Sequence, residues 1–102
     1  MQTFFLNKNQ MRSSGGYTKD IEIVNEFGLH ARSAARIAGI AGKAGSRVWI
    51  GRGDSRADAA SIIDILTLAC PKGTIITIGV EDRSDLPVLE ELAALVQSGF
   101  GE

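Results

Sequence analysis

Residues 18–50 read TKDIEIVNEFGLHARSAARIAGIAGKAGSRVWI, and the change of rhythm inside this stretch decides the fold. Ile21 and Ile23 alternate with Asp20 and Glu22, the pattern of a strand with one buried face. The alternation breaks at Phe27–Gly28. From about Ala31 to Ala44 the spacing turns helical. Ala34, Ile37, Ala38, Ala41 and Ala44 share one stripe, and Arg32, Arg36 and Lys43 another. Gly39 and Gly42 each weaken this helix by roughly 1 kcal/mol relative to alanine, so tertiary packing must hold it. Gly45 is its expected stop. Val48 and Ile50 then share one face of a second strand.

The rest of the chain continues the scheme. GRGDS, residues 51–55, is a turn, and its Arg52-Gly53-Asp54 triplet reads as turn chemistry rather than an adhesion signal. RADA, residues 56–59, is a short third strand. Ser61, with Asp64 three residues on, has the form of a helix start, and the helix runs to about Leu68. Pro71-Lys72-Gly73 turns the chain into TIITIGV, residues 74–80, a β-branched fourth strand. Ser84 or Asp85 caps a last helix with Pro87 in its first turn. Leu89, Leu92, Ala93, Val96 and Phe100 form its apolar stripe, and Gly99 is its end. The order β-α-β-β-α-β-α predicts an α+β fold, a four-stranded antiparallel sheet covered on one face by three helices. Residues 1–16, rich in Gln, Asn, Ser and Gly, read as a flexible tail ahead of a domain spanning 17–102. Phe4, Phe5 and Leu6 are the apolar exception in it.

Composition narrows the function. The chain has 102 residues and a formal net charge of -1, so no global basic field draws nucleic acid or an anionic membrane surface. Its one cysteine, Cys70, precludes an internal disulfide and reads as a small buried filler. With no apolar run of spanning length and no secretion signal in the opening residues, a cytoplasmic setting is expected.

His30 is the single histidine, placed where strand gives way to helix. The amides of Ala31, Arg32 and Ser33 lack partners within the helix. With the helix dipole they favour an anion, and they favour the neutral, nucleophilic form of an imidazole beside them. Arg32 adds a guanidinium fork on the same turn. Nucleophile, anion pocket and counter-cation therefore fall within four residues. A plain capping role for His30 is the competing reading. A metal site is not expected, because no second histidine exists and Cys70 has no partner at ligand spacing. No nucleophile-elbow pattern points to a hydrolytic triad.

GLHARSAARIAGIAGKAGSRVWI, ADAASIIDILTLACPKGTIITI and the element order together resemble HPr, the histidine-containing phosphocarrier of the bacterial phosphotransferase system. The resemblance covers about residues 18–100. ALVQSGF near the end is similar to NPr, the nitrogen-related branch. The resemblance implies an open-faced β-sandwich without a cofactor, a monomeric carrier rather than an enzyme. It implies that His30 takes a phosphoryl group on Nδ1 from phospho-enzyme I and passes it to a histidine of an enzyme IIA, with Arg32 steadying the phosphate. In the nitrogen branch the alternative is a regulatory module that signals by its phosphorylation state. Ser61 matches a position that a serine kinase modifies in some bacteria, against the simpler role of helix cap. Ala35, Ile62, Ile63 and Leu66 match a partner-docking patch, and transcriptional regulators are a further class of partner. Ser33 stands where the family usually has proline, which predicts a looser first helical turn.

Overall fold

The structure is a computed structural model that describes residues 12–13 and 16–102. Phe4, Phe5, Leu6, Ser14 and Gly15, on which part of the tail reading rests, lie outside the described residues. The chain runs β1 (Arg12–Ser13), β2 (Gly16–Glu22), α1 (Ala31–Ala41), β3 (Val48–Arg52), β4 (Ser55–Asp58), α2 (Ile62–Leu66), β5 (Ile75–Val80) and α3 (Leu86–Gln97), with 3-10 turns at Arg83–Asp85 and Gly99–Gly101.

All pairings are antiparallel, in the order β1-β2-β5-β3-β4. Four strands make the expected sheet. The two-residue β1, pairing Arg12 with Tyr17 and Ser13 with Gly16, adds an edge inside the segment read as tail. Gly16 itself opens β2, where a Cβ would fall 2.0 Å from the Val80 carbonyl oxygen.

Register explains the core. Ile21 lies opposite Ile76, Ile50 opposite Ile78, and Val48 opposite Val80. These side chains point to one face, where they meet Ile37, Leu89, Leu92, Val96 and Phe100. Among the described residues no helix covers the other face. There the Trp49 indole lies flat across Gly79, where a Cβ would be 2.2 Å from its ring. The Arg56 guanidinium sits 3.8 Å above the indole centroid, so the Trp49 ring is still screened from water, while Ile75 on the same face is exposed.

Two helix ends differ from expectation. α1 stops at Ala41, with Gly42 as its cap, because the chain ahead is claimed from elsewhere. The amides of Gly45 and Ser46 donate to Asp85, both at 3.0 Å, and the Ser46 hydroxyl donates to it at 2.7 Å. Asp85 therefore makes no side-chain cap bond to α3. Asp82 caps the preceding 3-10 turn through the Ser84 amide. The Gly45 amide and then the Ser46 hydroxyl hold the Asp85 carboxyl below its ordinary range, against the opposing effect of burial. A carboxyl lowered by folding stabilises in full above the unfolded value, near pH 4, and loses that contribution as pH falls through the folded one. Asp85→Asn should therefore lower the melting temperature by several degrees at pH 7. It should also flatten the acid limb of a stability–pH curve below about pH 4.

Candidate functional site

The loop from Asn25 to His30 is shaped by one glycine. Gly28 has φ +63, and a Cβ on it would fall 2.3 Å from the Cys70 carbonyl oxygen. This close approach lets the Leu29 amide donate to that same oxygen at 2.9 Å. The α2–β5 turn thus grips the loop and sets where His30 begins the helix. The turn is itself anchored by Arg52, which donates to the carbonyls of Leu68 and Ala69.

His30 is the N-cap of α1. Its Nδ1 accepts from the Arg32 amide at 3.3 Å, and its Nε2 lies 2.8 Å from Glu102 Oε2. An amide can donate only to an unprotonated nitrogen, and a carboxylate asks for a proton. The hydrogen-bond pattern therefore assigns the proton to Nε2 and leaves the Nδ1 lone pair at the open end of the helix.

The sequence predicts three first-turn amides waiting for an anion, and the structure leaves fewer than that open. Arg32's is engaged by Nδ1, and Ser33 enters a capping box with His30. Ala31's has no partner among the described residues. The reason is that the imidazole folds back as a cap. The Arg32 side chain is exposed and, among the described residues, has no hydrogen-bond partner.

Glu102 is the residue that sequence reasoning missed. It arrives 72 positions after His30 along a built path. Gly99, Phe100 and Gly101 are all left-handed, with φ 69, 60 and 72. Phe100 bears this as a non-glycine residue at a cost of about 1–2 kcal/mol, offset by roughly 1.5–3 kcal/mol from burying its phenyl ring. Arg36 holds the Phe100 carbonyl at 2.5 Å, and buried Asn25 bonds both the Gly28 carbonyl at 2.8 Å and Glu102 Oε1 at 3.2 Å. The Asn25 amide is the first cause holding the Glu102 carboxyl below its ordinary range, then the His30 ring and the Arg32 guanidinium, against partial burial. Two glycines flanking Phe100 were the available signal.

The remaining candidates sit on and beside α2. Ser61 caps it, its hydroxyl accepting from the Asp64 amide at 3.2 Å, while Asp64 accepts from the Asp58 amide at 2.6 Å. Ile65 and Leu68 are buried, and Ile62, Ile63 and Leu66 are 40%, 78% and 38% exposed. Ala35 is exposed on α1, which packs against α2.

Residues 17–98 match the family described as "PTS HPr component phosphorylation site". The chain belongs to the HPr family. Members are phosphocarriers of the phosphotransferase system, not catalysts in their own right. The chain is 34% identical over 84 residues to phosphocarrier protein HPr of Neisseria meningitidis serogroup A, covering 82% of this chain and 94% of that protein. It is 32% identical to phosphocarrier protein NPr of Shewanella violacea, covering 82% and 92%. The HPr-C-His structure from Thermoanaerobacter tengcongensis superposes with a TM-score of 0.78 at 33% identity, over 83% of this chain and 96% of that one. Ser33, where the resemblance leads to an expectation of proline, is held by hydrogen bonds. Ser33 is fully buried. Its hydroxyl accepts from the His30 amide at 2.9 Å and faces the Gly28 and His30 carbonyls at 3.2 and 3.1 Å. Hydrogen bonds tie the turn that proline would stiffen.

Proposed function

We propose that this HPr-family chain carries a phosphoryl group on His30 Nδ1, taking it from phospho-enzyme I and giving it to a histidine of an enzyme IIA. The geometry that carries the reading is the ring's pair of contacts, Nε2 on Glu102 and Nδ1 at the Arg32 amide, the pattern of an imidazole with its Nδ1 lone pair unprotonated at the helix start. That lone pair attacks phosphorus. The N–P bond to the donor histidine breaks, its electron pair stays with the donor, and a new N–P bond forms on His30. No proton need leave Nδ1, since none is there. The positive character that the ring gains falls next to the Glu102 carboxylate. The Arg32 amide moves from Nδ1 to a phosphoryl oxygen, the Ala31 amide is free to join it, and the Arg32 guanidinium offsets the remaining charge.

Ile62, Ile63, Leu66 and Ala35 serve as the docking surface, since exposed apolar groups gathered near a nucleophile suit partner contact. Ser61 acts as a helix cap: a phosphate there would add charge close to the Asp64 and Asp58 region. Residues 17–102 form the carrier domain, a cytoplasmic monomer. A second reading, a regulatory module of the nitrogen branch, is favoured by the NPr relative. Donation only to a nitrogen-type enzyme IIA would select it over sugar transport.

The test is incubation with enzyme I and phosphoenolpyruvate. An acid-labile mass gain of one phosphoryl group is expected, and its absence rejects the reading. Arg32→Ala should slow transfer by about 10- to 100-fold, through loss of a charge-assisted phosphate contact. Its melting temperature should stay near that of the unsubstituted protein, because the side chain is exposed. Unchanged transfer kinetics would remove Arg32 from the mechanism.

A further inference from the structure

Phe27 is 77% exposed, yet it does not sit on a loose loop. The Gly28 amide donates to the Asn25 carbonyl at 3.2 Å, and the Asn25 side chain donates back to the Gly28 carbonyl at 2.8 Å. Gly28 is in turn pressed against the Cys70 carbonyl. A rigid turn therefore holds a phenyl ring out in water. Its ring contact is with His30, with centroids 6.2 Å apart and planes at 85°, inside the range of attractive edge-to-face pairs.

That contact supplies what the hydrogen bonds lack. The bond at Nδ1 is long, 3.3 Å, and so holds the imidazole only weakly against a tilt about its Cβ–Cγ bond. A ring meeting it at right angles resists that tilt. We propose that Phe27 is a positioning residue for phosphoryl transfer, keeping the Nδ1 lone pair aligned with the incoming phosphorus. The inference rests on the phosphocarrier reading of His30.

Three variants test it: Phe27→Ala, Phe27→Leu, which keeps apolar bulk without a ring, and Phe27→Tyr, which keeps the ring. Transfer from phospho-enzyme I is measured against donor concentration, and the His30 ring protons are followed by NMR in the unphosphorylated protein. The Ala and Leu variants should lose kcat by about three- to tenfold at an unchanged KM, and should lose the ring-current shift at His30. The Tyr variant should restore both. An unchanged kcat, or a raised KM alone, which is the mark of a docking contact, overturns the inference. So does an unaltered His30 ring-current shift in the Ala variant. Absence of transfer in the unsubstituted protein is a separate result: it rejects the carrier reading and this inference with it.

Discussion

His30→Gln is expected to abolish phosphoryl uptake completely while leaving the domain folded. Glutamine is chosen because it can keep both hydrogen bonds of the imidazole. Its carbonyl oxygen can accept from the Arg32 amide in place of Nδ1, and its NH2 can donate to Glu102 in place of Nε2. What it lacks is a nucleophilic lone pair, because the amide nitrogen's electrons are delocalised into the carbonyl. Alanine would confound the result, since removing an N-cap side chain costs about 0.5–2 kcal/mol. No neighbour can take over the chemistry. Ser33 Oγ is fully buried and tied to the loop carbonyls, and Cys70 is buried with its thiol pushed up by that burial. The measurement is intact mass after exposure to enzyme I and phosphoenolpyruvate, with thermal melting alongside. A phosphoryl mass gain on the folded glutamine variant would place the acceptor elsewhere.

The part of this site that is legible in the sequence is the part made by neighbours. Gly28, Leu29, His30 and Arg32 are close along the chain, so a strand-to-helix boundary is enough to bring imidazole, amides and guanidinium together. On α2 burial follows the apolar pattern: Ile65, with Leu68 just beyond the helix, turns inward and leaves Ile62, Ile63 and Leu66 outside, because one face of a short helix must pack. Glu102 is different. Its approach to His30 depends on three successive left-handed residues, on Asn25 reaching it from the loop after β2 and on Arg36 of α1 holding the Phe100 carbonyl, and periodicity carries no record of such a path. Asp85 stands at the N-cap of α3, as expected, but its side chain is used elsewhere for a related reason. Its spacing suits the start of α3, but two amides beyond the end of α1 compete for the same carboxylate. Local pattern predicts who stands beside whom along the chain, and long-range hydrogen bonds then decide where a polar side chain is used.

Gly28→Ala should be among the most damaging conservative changes available, and Gly39→Ala should have the opposite sign. At Gly28 the methyl group meets backbone, 2.3 Å from the Cys70 carbonyl oxygen and 2.8 Å from Pro71 Cα, and neither can swing aside as a side chain might. The left-handed φ of +63 adds about 1–2 kcal/mol for any residue with a Cβ. Relieving the clash by moving the loop breaks the Leu29–Cys70 bond, worth about 0.5–1.5 kcal/mol. A loss of roughly 3 kcal/mol is expected from these terms, a large share of the 5–15 kcal/mol usual for a domain. The same displacement carries His30 off its amides, so phosphoryl uptake should fall with stability and not recover at low temperature where the variant is folded. Gly39 lies exposed on α1 with nothing within 4 Å of a Cβ. There alanine should stabilise by about 0.5–1 kcal/mol through helix propensity alone. Urea unfolding midpoints of the two variants read the difference directly. Midpoints that shift the same way would mean that the close approach of Gly28 to the Cys70 carbonyl does not hold the active loop in place.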